Sequence, residues 1–138
     1  MLEKFHDLSF YTLSLGDTEF IHQHIVDAFT AQNADIHSKP ISVIFALAGL
    51  YLHLEKKFTG KEVQLAHIQM AKNKKVWPLI HYPDFRGDMT ISDVLAEPPG
   101  ALRSHKIHEW CAVVWNAYRY NHAMVKQLVS GLLTELEN

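Results

Sequence analysis

The sequence predicts an all-α fold, a four- to five-helix bundle with one long Pro-rich loop between the fourth and the final helices. Three observations predict it: apolar residues recur at the three- and four-residue spacing of a helix face, cap and breaker residues separate these runs, and four of the five prolines fall between residues 78 and 99. The 138 residues read as a single helical domain, 1–138, long enough to bury roughly two thirds of the surface of the unfolded chain.

The first short helix spans Glu3 to Leu15 and is stopped at Gly16-Asp17, with Asp17 or Thr18 placed to cap the next helix. That second helix runs from about Thr18 to Asn33. Pro40 suits the first turn of a third, which continues to about Phe58 and is apolar almost all round, the pattern of a buried element. Thr59-Gly60 breaks it, and Thr59 with Glu62 has the spacing of a capping box for a fourth helix, Lys61 to Lys74. Val76 to Pro99 is extended, with one short helix at Ile91 to Ala96, where Thr90-Ile-Ser-Asp offers capping side chains. From Ala101 to Leu136 the period is helical again, either as one long helix or as two with a break near Tyr120-Asn121.

Composition narrows the function classes. A net charge of -2 offers no electrostatic footprint for nucleic acid. The run Ile41 to Leu54, about fourteen residues, falls short of the roughly twenty that a membrane-spanning helix needs, so no membrane role is expected. The lone Cys111 excludes an internal disulfide and the paired-cysteine zinc patterns. Together with an N-terminus lacking a secretory pattern, it fits a reducing, cytoplasmic setting. Histidine is the outlier at ten residues, scattered rather than in a tag, and points to titration near neutral pH or to metal binding.

Placing side chains at about 100° per residue puts His24, Glu55 and His122 inside apolar stripes, where an ionisable group needs a partner or an ion. His24 lies at the centre of the second helix's apolar arc with Phe20, Ala28 and Ala31. Asp27 is one turn away, within reach of an imidazole, so His24 and Asp27 are the candidate acid–base residues. His22 diverges from His24 by about 200° and cannot share an ion with it. Glu55 either emerges into solvent and pairs with a lysine or turns inward toward His24. His53 falls on the small, polar side of its helix with Ser42 and Gly49 and reads as a surface or helix-contact residue. In the last stretch His122 joins the stripe of Ile107, Cys111, Val114, Trp115 and Tyr118, with His108 at its border. His24, Glu55, His108 and His122 are therefore the candidate ligands for zinc or another divalent metal, with an open position for water. Trp77, His81 and Tyr82, on the Pro-rich loop, and Trp115 are the candidate ligand-binding residues, the loop serving as rim or lid for a small molecule.

The stretches Phe20-Ile-His-Gln-His-Ile-Val-Asp-Ala-Phe-Thr-Ala-Gln, Trp77-Pro, and Trp110-Cys-Ala-Val-Val-Trp-Asn-Ala-Tyr resemble the uncharacterised bacterial helical family catalogued as domain of unknown function 5946. The resemblance covers most of the chain. It implies a bacterial, cytoplasmic helical domain and supplies no activity; some members begin with a zinc-ribbon cysteine cluster, which this chain lacks. Two functions stay open: an interior histidine and carboxylate site for a metal or small polar ligand, or a non-catalytic, homo-oligomeric interaction or ligand-sensing module.

Overall fold

The structure, a computed structural model, describes residues 2–73 and 76–137 and is all-α. Its helices are α1 (Leu2–Ser14), α2 (His22–Asn33), α3 (Pro40–Lys56), α4 (Gly60–Asn73), α5 (Ile91–Ala96), α6 (Ala101–Ala117) and α7 (His122–Glu137), with a 3-10 turn at Arg119–Asn121. Among the described residues there are seven α-helices rather than four to five, because α5 is a separate turn-and-a-half and the last stretch divides. The expected end of α4 at Lys74 lies outside the described residues. No described helix is long and apolar enough to cross a membrane.

Helix α3 is the axis. It buries Val43, Ile44 and every residue from Ala46 to Leu52, and packs against α2, α4, α6 and α7. Its end is set by Lys57, whose left-handed φ of 62° stops the helix two residues before Phe58 and sends the Phe58 N–H back to the Leu52 carbonyl. The capping box then opens α4 as the spacing predicts: Thr59 N–H donates to Glu62 Oε1 at 2.9 Å and Glu62 N–H to Thr59 Oγ1 at 3.2 Å. Thr90 and Asp93 form the same box at α5.

Helix α2 starts later than the periodicity predicts, at His22 instead of Thr18. Asp17 Oδ2 takes the Ile21 N–H at 3.0 Å and Phe20 turns left-handed, φ 55°, so the chain is still in a turn where the apolar spacing already looks helical. Gly60 accepts this turn. Its N–H bonds the Glu19 carbonyl at 2.7 Å, and a Cβ there would overlap the Phe20 carbonyl. The start of α2 is thereby fastened to the α3–α4 corner.

The far end of α2 is held by side chains. A helix leaves its last carbonyls without partners, and here Tyr118 donates to the Ala31 carbonyl at 2.5 Å while Arg86 donates to those of Gln32 and Ala34. Gln32 accepts from Trp110 Nε1 and donates to the Met89 and Arg86 carbonyls, tying α2, α6 and the Pro-rich loop together. Asn121, buried in the 3-10 turn, exchanges two hydrogen bonds with the backbone of His81. That exchange explains why the last stretch breaks there: Asn121 is committed to the loop and α7 starts afresh.

Where α2 meets α3, Gly49 faces Asp27 so closely that a Cβ would overlap Asp27 Oδ2 and lie 3.2 Å from Val63 Cγ1. Gly49→Ala is expected to destabilise by about 1–3 kcal/mol through overpacking. In an Asp27→Ala background the same change is expected to turn neutral or stabilising, since Ala exceeds Gly in helix propensity by about 1 kcal/mol. Urea-unfolding midpoints of the four proteins check this; an unchanged cost in both backgrounds would show that the contact does not set the helix spacing.

Candidate functional site

One turn along from Gly49, α3 carries His53, and nearly one turn back from Asp27, α2 carries His24. The close approach therefore brings the two imidazoles together, stacked with ring centres 3.6 Å apart and planes 17° off parallel. His108 of α6 stands edge-on to His53, centres 5.4 Å apart and planes at 86°. The three rings line a pocket of about 250 Å³ between α2, α3 and α6. Its remaining wall includes the apolar Ile21, Phe58 and Ile107, the polar Thr59 and Ser104, and the charged Glu19 and Lys57. The Gly60 junction builds that wall, since it holds Glu19 beside Thr59.

Burial favours the neutral form of both His24 and His53. Burial, and then the neighbouring His53 and His108, push His24 down to about 3; burial also lowers His53, against the opposing pull of its hydrogen bond to Phe58. His53 Nδ1 lies 3.4 Å from the Phe58 carbonyl, which can only accept, so Nδ1 carries the proton and Nε2 keeps a free lone pair. His24 is 5 % exposed and its Nδ1 is enclosed without a hydrogen-bond partner, leaving Nε2 to meet the pocket. An enclosed polar atom without a partner costs about 1–3 kcal/mol.

Asp27 does not partner His24 as the spacing predicts. Gln23 Nε2 donates to its Oδ1 at 3.1 Å, its Oδ2 faces Gly49 with no partner, and burial holds the carboxyl well above the usual carboxylate range despite the Gln23 bond. Asp27 is thus an internal neutral acid on the α3 side of α2, not the group that orients the imidazole. His22, as expected, points elsewhere, its Nδ1 3.0 Å from Thr12 Oγ1 of α1.

The expected four-ligand set divides in two. His24 and His108 share the pocket, whereas Glu55 and His122 gather around Trp115 of α6. Trp115 Nε1 donates to Glu55 Oε2 at 2.9 Å, and His122 stacks on the indole at 3.7 Å while bonding the Trp115 carbonyl. Glu55 also pairs with Lys126 at 3.1 Å; burial raises its pKa, but the bonds from Lys126 and Trp115 outweigh it and the net shift is downward. Glu55 is thus the emerging, lysine-paired carboxylate, and its lysine comes from α7. As the side chains stand, no group of three or more His, Cys, Asp or Glu among the described residues has the geometry to hold a metal ion.

The expected ligand-binding residues also part company. Trp77 packs edge-on against Phe45 and lines a groove of about 570 Å³ along α7. His81 and Tyr82 line a second hollow of about 460 Å³ with Asn116 and Tyr120 of α6 and its turn, and Trp115 is buried under His122. None of these four is among the residues lining the histidine pocket, so the Pro-rich loop is not its lid. Sequence reasoning missed His53. A signal for it exists: Gly49 and His53, four apart on an otherwise bulky helix, mark the face another helix approaches.

The burial of Asp27 has a definite sign in stability. Its unfolded carboxyl ionises near about 3.9, its folded one well above, so stability is fullest below the lower value and falls as pH rises toward the folded one, by at most about 1.4 kcal/mol per pH unit. Asp27→Asn is expected to abolish this loss, so its advantage over the parent should grow as pH rises from the unfolded carboxyl's value of about 3.9 toward the raised folded one. Urea unfolding across that range checks it, and a pH-independent difference would refute a buried neutral acid.

Neither a curated protein nor a solved structure matches the chain. A family model, described as a family of unknown function, matches residues 2–119, which include every residue of the histidine pocket and stop before α7. The chain belongs to the DUF5946 family.

Proposed function

We propose that the protein binds a small polar molecule in the pocket between α2, α3 and α6. The observation that carries this reading is His24: more than nine-tenths buried, neutral, and free of any side-chain hydrogen bond in a wall that also offers Ser104 and Thr59. Interiors keep an imidazole with an enclosed, unpartnered Nδ1 only at a cost, and its Nε2 is left for an occupant of the pocket to hydrogen-bond. A volume of about 250 Å³ suits a molecule smaller than a typical drug. The opposite charges of Glu19 and Lys57 at the wall favour one that is neutral overall or zwitterionic, such as an amino acid. A neutral imidazole can accept a hydrogen bond from such a ligand through one ring nitrogen and donate one through the other, which suits the site to recognition.

A thermal-shift panel of amino acids, hydroxy acids and nucleobases on the purified chain tests this. At a concentration about 100 times Kd, a true ligand stabilises by about 2.7 kcal/mol, a shift of several degrees. The effect is expected to vanish in Ser104→Leu, which fills the pocket without removing a histidine, and in His24→Ala. Hits indifferent to both substitutions, or no hit at all, would remove the reading.

A further inference from the structure

Three imidazoles from three separate helices at one pocket are more than a small organic molecule needs for recognition, and their relative placement carries a second meaning. Two imidazoles bound to one tetrahedral ion, each through a nitrogen about 2.1 Å away, hold their ring centres about 5 Å apart with their planes free to cross. His53 and His108, at 5.4 Å and 86°, already stand that way. His24 does not, because parallel rings 3.6 Å apart aim their in-plane lone pairs side by side rather than at a common point. Binding an ion on all three therefore requires His24 to turn out of its stack.

His53 carries the further mark of a ligand. A metal-bound histidine characteristically donates its other ring N–H to a carbonyl or carboxylate, which fixes the tautomer and presents the lone pair. The Phe58 carbonyl does this for His53 Nδ1. That carbonyl belongs to the corner Lys57 makes by going left-handed, so the turn that ends α3 also sets the ring. Glu55 and His122, occupied with Lys126 and Trp115, stand apart from this arrangement.

We infer that the pocket takes one divalent first-row transition ion on His53, His108 and His24, with a fourth position open to the small polar ligand. Imidazole nitrogen suits zinc, cobalt, nickel and copper, and three protein ligands with one open place is the pattern of an ion that acts on something bound to it. The inference rests on the pocket being the working site, and it changes what the pocket recognises: an electron-pair donor reaching the ion, held by Ser104, Thr59 and the charged pair at the wall.

Cobalt(II) alone, titrated into the full chain after dialysis against chelator, is the test. One ion per chain is expected, with the intense visible absorption of four- or five-coordinate cobalt. His53→Ala and His108→Ala should each weaken binding at least about 100-fold, given that even outer partners of metal ligands change affinity 10- to 100-fold. His24→Ala should weaken it as well, while His105→Ala and His122→Ala should leave it unchanged. Should an alanine variant fail to fold by circular dichroism, ring-nitrogen resonances of His53 and His108 in the parent protein should move together on adding one equivalent of zinc. No binding, a weak six-coordinate spectrum, affinity unaltered by His53→Ala, or unmoved ring resonances would each overturn the ion. A panel compound that still binds in a Ser104-dependent way under those outcomes would leave the pocket reading standing.

Discussion

The absence of a side chain at Gly49 is the constraint on which the site depends. Helices normally keep about 8–10 Å between axes because their side chains must interleave; at Gly49 the Asp27 carboxyl occupies the room a Cβ would take. The contact lies one helical turn from the His24–His53 stack, so the spacing of the two helices at one level dictates the spacing of the imidazoles at the next. A bulkier residue at 49 would separate rings it never touches. The buried acid and the buried base are therefore linked mechanically rather than by a hydrogen bond.

Both ends of α2 are fixed by polar contacts of a kind that hydrophobic packing cannot supply. At its start a left-handed Phe20 nests on Gly60, and at its end Tyr118 and Arg86 satisfy carbonyls that would otherwise be stranded. Between these anchors the core is almost wholly apolar, with Leu47, Ile44, Trp110 and Tyr118 among its largest enclosed side chains. His24 Nδ1 and Asp27 Oδ2 are exceptions on that same helix. Unsatisfied atoms are tolerable there because the anchors hold α2 independently of them, and a rigid frame around uncompensated polar groups is the arrangement expected of a site organised for something other than stability.

Much of this architecture is legible in the residues. The helix class, the Thr59–Glu62 and Thr90–Asp93 caps, and α5 to the residue all arise from local chemistry that acts within one or two turns. His24 is legible for the same reason, since its helix has a single apolar arc. Which helix faces which is not. Helix α3 is apolar around its whole circumference, so its pattern gives no angle, and the Ser42, Gly49 and His53 arc passes for a solvent side when it includes the face α2 approaches. Glu55 and His122 do lie in apolar stripes, but a stripe says only that a residue turns toward neighbours. Their neighbour is Trp115, contributed by α6, and the loop expected above the histidines is instead drawn to Gln32 and Asn121.

Cys111 gives the pocket a clock. Its thiol is fully enclosed, is pushed up by burial, and lies 3.7 Å from the His24 carbonyl across the α2–α6 contact. A thiol in that position is silent toward alkylating reagents while the two helices stay together, and becomes reactive only when they part. Being the sole sulfhydryl in the chain, it makes the labelling rate a direct count of how often the interface behind His24 opens, on the timescale of local unfolding rather than of side-chain motion. Any occupant that clasps α2 to α6 would slow that count, whatever its chemical nature.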